Sequence, residues 1–459
     1  MKQIRRQIRQ IGQQGRRYCV RQLLPVLADL KLAIPLLLVI ALLSATGTVI
    51  EQDESLGFYQ ANYPEHPALF GFLSWRVITW LGLDHVYRTP WFLSLLILFG
   101  ASLGACTWQR QWPLLKVARR WYYYQKPESF QRLATSTLLP QGSLSHLETL
   151  LRQRGYWVQR RDDCLYARKG LVGKIGPIIV HASMLLILAG AIWGSLTGFK
   201  SQAMIAEGAT AADLGQRISV GDWAHPPDWQ VQVHRFWIDY DPQGRVRQFY
   251  TDLGILAQGQ ERKRQVISVN HPLSYKGVSF YQADWSISGV VIRINQSPPL
   301  RLPVFPIQQN GQSLWGTFIP TRPDLEDGVM LLLPDLQGTG ILYDTQGQWL
   351  TSLHTGQSWT TPDQKTLWLD QVIGASGIQI KQDPGIPWVY AGFGLLMVGV
   401  LMSYVSHNQW WALSRGEGLY VGGKANRAAV LFEREWLQIL DHLQPEAIPE
   451  QAEQISLSL

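Results

Sequence analysis

Cysteine is scarce: the 459-residue chain has three, Cys19, Cys106 and Cys164, and none between residues 198 and 386. A disulfide framework in that long segment, and thiol exchange by it, are excluded on inventory alone. No CxxCH occurs, so the chain does not itself hold covalently attached c-type haem. Charge is missing from four apolar stretches, Leu32 to Ile50, Trp91 to Thr107, Ile175 to Thr197 and Pro387 to Val405. With a helix rise of about 1.5 Å per residue, stretches of this kind suit a hydrocarbon core roughly 30 Å thick, and an integral membrane α-helical protein with four transmembrane helices is expected. Histidine occurs once in those stretches, at His181. No repeat of fixed period and no low-complexity tract is found.

The charges that are present are unevenly placed. Residues 1–31 carry eight Lys or Arg against one acid, and 109–174 carry thirteen against four, whereas 51–89 carry two against five and 198–386 fourteen against seventeen. The first two segments read as cytoplasmic and the others as lying on the far side. The net charge of +7 and the sequence pI near 9.2 then report topology and not nucleic-acid binding. Mean hydropathy, −0.04, averages two regimes. The expected division is a basic cytoplasmic N-terminus over 1–31, helix one over 32–50, a short lumenal loop over 51–90 and helix two over 91–108. A cytoplasmic loop over 109–174, helix three over 175–197, a large β-rich lumenal or periplasmic domain over 198–386, helix four over 387–405 and a cytoplasmic tail over 406–459 follow. The first apolar run is read as an uncleaved helix, because it outlasts an ordinary export signal.

Within 198–386, the runs 229–239 and 262–269 alternate partially, and Val278 to Trp285 and Gly289 to Asn295 add two strand-like runs separated by turn residues. A sandwich or open barrel is expected. His271 precedes Pro272, which favours extended backbone, and Lys276-Gly277 suits a turn. An ordinary hairpin, a haem-facing His271 and a docking strand at Phe280, Tyr281 and Trp285 all remain open there. His225, His234 and His354 lack ligand-like spacing and read as surface or structural residues. In the cytoplasmic loop, QRQWPLLKVARRWYYYQK suits the headgroup layer, Ser143 to Arg154 has a helical pattern, and Asp162-Asp163 marks a small hairpin. The tail from His407, with Trp410 and Trp411 at the interface, carries no further signal.

An imidazole inside an apolar span gives up water and must find a partner, a cavity or a ligand. A hydrogen-bonded structural histidine is one answer for His181, and axial ligation of haem iron is another. A proton relay needs further intramembrane acids or histidines, which the four stretches lack. On a helical projection Gly176, Ser183, Gly190 and Gly194 share a small-residue face, with Gly100 and Gly104 of the second stretch a candidate mate. His181, Met184, Leu185, Leu188 and Ile192 point elsewhere.

Four segments together resemble the ResB/CcsB family of cytochrome c biogenesis proteins. They are LLSATGTVIEQ (Leu42 to Gln52), GPIIVHASMLLILAGAIWGSLTGF (Gly176 to Phe199), ISVNHPLSYKGVSFYQADW (Ile267 to Trp285) and KQDPGIPWVYAGFGLLMVG (Lys381 to Gly399), in that order across about 350 residues. The resemblance implies a CcsA-type haem-handling membrane partner in a system II machinery. That machinery moves haem b across the membrane and attaches it to CxxCH thiols of apocytochromes c, such as cytochrome f or c6 in a photosynthetic source. It further implies that His181 is an intramembrane haem-iron ligand and that Asp383 is a functional acid, which read from the residues alone is a helix cap at Asp383-Pro384-Gly385. A thylakoid membrane is the implied location, with a bacterial plasma membrane as the alternative. The partner's tryptophan-rich WGxxW signature is absent, so haem presentation belongs to the partner and this chain to a non-catalytic or shared subunit. Two other readings stay open: a scaffold or chaperone that binds no haem, and a transporter subunit, for which several intramembrane polar groups would be expected.

Overall fold

A computed structural model describes residues 22–443, apart from 69–70, 134, 212–213, 310–311, 322–326, 362–363 and 417. Cys19 and most of the basic N-terminus lie outside the described residues. Four helices have the length and apolar composition to cross a membrane. They contain α1 (Leu30–Val49), α2 (Pro90–Cys106), α3 (Val172–Thr197) and α4 (Ile386–Tyr404). α2 starts where Thr89 accepts a hydrogen bond from the Phe92 amide and Pro90 supplies a first-turn residue needing no donor. It does not stop at the expected 108. A π-helical turn, Thr107–Gln111, and a further helix, Trp112–Arg119, carry the path on to Arg119. The chain forms two compact units, one from the described parts of 1–46, 89–191 and 387–459, the other from those of 47–88 and 192–386.

In the first unit the small-residue face of α3 packs on α4, not on Gly100 and Gly104 as expected. A Cβ at Gly173 would lie 1.9 Å from the Val405 carbonyl oxygen, one at Gly176 2.4 Å from Ser403 Oγ, and one at Gly392 2.5 Å from Ile187 Cγ1. Only hydrogen fits at such separations, and the helices approach by backbone-scale contact. The Leu185 and Leu188 side chains of α3 instead reach α2 at Gly100. The 109–174 segment, expected to be a connector, and the tail from His407, expected to be quiet, form one folded body. Strands Thr135–Leu139, Gly418–Ala425, Asn408–Arg415, Cys164–Lys169 and Trp157–Arg161 pair in that order into an antiparallel sheet. Helices Leu144–Gln153, capped by Ser143, and Ala429–Leu443 pack on one face around Leu147, Leu151, Leu165 and Trp410.

Two expectations about tryptophan and tyrosine are corrected here. Trp410 is fully buried and stacks on Trp436 with ring centres 4.6 Å apart, so it is core and not an interfacial anchor. The aromatic stretch assigned to the headgroup layer covers the other face of the sheet: Trp121, Tyr123 and Tyr124 pack on Phe130, Tyr166 and Trp411, and the Trp411 indole donates to the Tyr122 carbonyl at 2.9 Å. Strand alternation explains both, since adjacent Trp410 and Trp411 must face opposite sides.

The second unit is mostly β. Strands Val278–Ile294 and Thr366–Gln382, each 17 residues, pair along their length and form the centre of a seven-stranded sheet. The two runs expected either side of a turn near residue 287 are thus one strand, bent by bulges at Gln282/Asp284 and Ile287/Gly289. One half of the pair, through Phe280, Ile378 and Ile380, shares a core with the four-stranded sheet that includes Gln230–Tyr240 and Val246–Ala257. The other half, through Val290, Ile292 and Leu369, shares a second core with a five-stranded sheet built from Phe305–Gln309 to Trp349–His354. At the bend a buried Thr251 hydroxyl lies 2.5 Å from Gln282 Oε1 and 2.7 Å from Ser376 Oγ. Residues 47–88 add short helices Leu56–Asn62 and Trp75–Leu81 around Ile50, Tyr59 and Ile78.

His407 links this architecture to pH. It is 2 % exposed, its backbone N–H donates to Asn426 Oδ1 at 2.7 Å, and burial, then the nearby Lys174 and Arg168 charges, hold its pKa down at about 4. The folded chain keeps His407 neutral where the unfolded chain, with a pKa near 6.5, takes up a proton. Stability from this residue is therefore complete above pH 6.5 and is lost as pH falls through the window down to about 4. The melting temperature of the full chain in detergent should fall across that window, and His407→Gln should flatten the fall; an equal slope in the variant refutes the assignment.

Candidate functional site

His181 lies nine residues into α3, about 13 Å along its axis. The face left over by the α3–α4 contact turns the imidazole toward the end of α2. Its Nδ1 is 3.0 Å from Thr107 Oγ1 and 3.4 Å from the Leu103 carbonyl oxygen, and its Nε2 is 3.1 Å from the Gln111 amide nitrogen. The Thr107 hydroxyl donates to Leu103 O at 2.8 Å, so its lone pair is what Nδ1–H meets. Gln111, presenting N–H, makes Nε2 the acceptor. The network thus assigns the neutral tautomer with the proton on Nδ1.

The π turn brings both partners to one ring. Leu103, Thr107 and Gln111 follow one another at four-residue steps, and the wider turn over Thr107–Gln111 aims the threonine hydroxyl and the glutamine amide at opposite nitrogens. Gln111 Oε1 is buried with no hydrogen-bond partner among the described residues. That orphan acceptor is a cost the site carries. His181 also lines an open groove of about 350 Å³ together with Pro177 and Val180 of α3, Val400, Ser403 and Tyr404 of α4, and Arg427.

Such an arrangement suits an axial ligand. A metal-binding histidine holds one ring N–H on an oxygen and offers the other nitrogen, and here Thr107 and Leu103 serve the first purpose while Nε2 faces a displaceable amide. Among the described residues no group of three or more His, Cys, Asp or Glu is placed to hold a metal ion, so a metal here would need further ligands from its own macrocycle or from a second chain.

The other two candidates sit in the second unit. Asp383 follows strand Thr366–Gln382; its Oδ1 accepts the Gly385 N–H at 3.1 Å, Lys381 Nζ lies 3.9 Å from Oδ2, and a Cβ at Gly194 would fall 2.3 Å from Oδ1. The carboxylate closes a short turn onto Gly385, as its Asp-Pro-Gly setting suggests. His271 is exposed in the turn after strand Gln260–Ser268, with Nδ1 3.3 Å from the Val269 carbonyl oxygen. Among the described residues no hydrogen bond or ion pair joins His271 to Asp383. Lys276 and Gly277, with φ of 45° and 82°, form the expected turn before Val278. His234 pairs with Glu261 at 2.6 Å and His354 with Thr339 at 3.0 Å, both structural contacts.

Thr107, Gln111 and Arg427 were missed from the sequence. Thr107 and Gln111 carried a signal, polar residues four apart where the apolar stretch ends, but it reads equally well as the helix entering the headgroup region. Arg427 carried none, because its neighbours in the groove are 23 to 250 residues away in the chain.

A family model described as the ResB-like family matches residues 30–312 and 299–436. The chain belongs to the ResB-like family. Its curated relatives include proteins named "Cytochrome c biogenesis protein CcsB" from Synechococcus sp. (strain JA-3-3Ab), 64 % identical over 93 % of this chain and 91 % of the relative, and from Synechococcus sp. (strain JA-2-3B'a(2-13)), 62 % identical over 93 % of each. The protein of that name from Thermosynechococcus vestitus is 58 % identical over 93 % of this chain and 96 % of the relative. Among solved structures, a cytochrome c heme lyase CcmF aligns over 72 % of this chain and 42 % of its own length with TM-score 0.25 and 10 % identity, a level that fixes no common fold.

In this ResB-like chain both nitrogens of His181 are engaged, which predicts slow carbethoxylation of that imidazole. Gln111→Ala frees Nε2, and losing one hydrogen bond should speed modification about tenfold. Peptide mass spectrometry after diethyl pyrocarbonate treatment reads this directly; equal rates in the two proteins disprove the assigned network.

Proposed function

We infer that this chain acts in cytochrome c biogenesis at the step that delivers and attaches haem, as a membrane subunit working with a CcsA-type haem-handling protein. The observation that carries the reading is the His181 site: a neutral imidazole at depth in an apolar helix, its Nδ1–H anchored by Thr107 and Leu103 and its Nε2 guarded by one amide, on a residue that also lines a groove. Haem b is cargo in this scheme. His181 supplies one axial nitrogen once Gln111 swings aside, the α3–α4 wall supplies apolar contact, and the second axial ligand comes from the partner. The printed names of the relatives support the pathway, and the absence of CxxCH and WGxxW from the sequence supports a shared role in which thioether formation is centred elsewhere.

Loop charges support a multi-pass topology with residues 109–174 and the chain end on the cytoplasmic side and 198–386 on the lumenal or periplasmic side. Cyanobacterial relatives favour the thylakoid membrane over the plasma membrane. Apocytochromes c are the clients, and no nucleic acid takes part. Asp383 is assigned the positioning of the α4 entrance, and exposed His271 a contact with client or partner.

A second reading has its own support. A histidine whose two nitrogens are already satisfied needs no ligand, which favours a scaffold that steadies an apocytochrome or the partner without touching haem. The full chain purified with its partner separates the two: haem handling predicts a Soret band that His181→Ala removes or weakens, that added imidazole restores, and that His354→Ala leaves unchanged. Unaltered haem content in an assembled His181→Ala complex selects the scaffold.

A further inference from the structure

The groove beside His181 has a charged end that neither haem ligation nor the relatives' names account for. Its wall is apolar along Val180, Val400 and Tyr404, and its edge is Arg427, which follows the sheet strand Gly418–Ala425. Arg427 donates through Nη1 to the Ser403 carbonyl at the end of α4, and the residue is exposed. Lys174 lies within electrostatic reach of both Arg427 and Lys424. Among the described residues none of the three forms an ion pair with a carboxylate. A groove-lining guanidinium with no carboxylate partner, and Lys174 within electrostatic reach of it, are matched by an anionic ligand with an apolar body.

The spacing narrows the class. Lys174 precedes His181 by seven residues, two helical turns, so the two lie on the same side of α3 about 10 Å apart along the axis. A ligand that puts a metal at His181 and reaches the cationic end must carry acid groups on one edge of a large planar body. A lipid with a single phosphate meets the cations but leaves His181 unused.

We propose that Arg427, with Lys174 and Lys424, is the carboxylate-binding end of the His181 groove, so that a metallotetrapyrrole dicarboxylate enters with its acid edge toward the sheet-bearing end of the unit. The proposal rests on the reading of His181 as an iron ligand, and it adds an orientation. The acid groups displace nothing from Arg427 except solvent at its free nitrogens, while the Ser403 contact holds the guanidinium in place. Lysine would keep the charge but lose the fork that serves a carbonyl and a carboxylate together.

The test uses the full chain purified from membranes with whatever co-purifies, titrated with two probes, ferric haem b and its dimethyl ester, which has no free carboxylates. Wild type should bind the diacid about tenfold more tightly than the diester. Arg427→Gln should erase that preference while leaving diester affinity and the Soret position of the histidine complex unchanged, and Arg427→Lys should restore part of it. Equal binding of both probes by wild type overturns the proposal without requiring any variant to fold. So does a variant that weakens both probes alike, which makes Arg427 a helix cap only, or one that changes neither. The His181 reading fails separately, if His181→Ala binds ferric haem b as wild type does.

Discussion

Removing an imidazole from water leaves two ring nitrogens that both need partners, and the organisation of the membrane-length helices follows from how this is met at His181. The α3 face that carries it has to be turned toward polar atoms, and among apolar helices those atoms are few. They come from the place where α2 ceases to be regular: a π turn puts Thr107 and Gln111 on opposite sides of one ring. The small-residue face of α3 is thereby committed to α4, where Gly173, Gly176, Gly392 and Gly399 let the backbones close. Where the tight α3–α4 contact gives way, a groove remains beside His181, between Pro177 and Val180 of α3 and Val400, Ser403 and Tyr404 of α4.

That geometry makes Gln111 the residue with two roles. While its N–H rests on Nε2 the site is satisfied and chemically quiet, but its own Oε1 is buried without a partner. Moving that amide aside would expose one nitrogen lone pair. A neutral histidine held in this way keeps one nitrogen anchored and the other covered by a single amide.

The two β-containing bodies solve different problems. In the second unit, a 17-residue strand pair is long enough to serve two cores, and its bulges bend it between them. In the first unit, a five-stranded sheet takes strands from segments separated by more than two hundred residues, Cys164–Lys169 beside Asn408–Arg415. This joins the residues that follow α2, precede α3 and follow α4 into one body. Arg427 reaches the groove only because that sheet brings its connecting turn there.

Much was legible from composition and pattern. Uncharged stretches marked four helices because lipid tolerates little else, and β-alternation marked the large polar segment because a half-buried strand must alternate. His181 stood out because its cost is local to the helix that bears it. The partner of each surface was not legible, since a helical projection shows which residues share a face but not which neighbour meets it: α4 and not α2 lies on the glycines of α3. Trp410 and Trp411 look like interfacial anchors until pairing sends one to each side of a sheet, and the tail looks inert until its strands find the loop. Sequence determined which groups are costly to bury; the tertiary structure alone decided which groups meet them, because such contacts depend on distance in space and not along the chain.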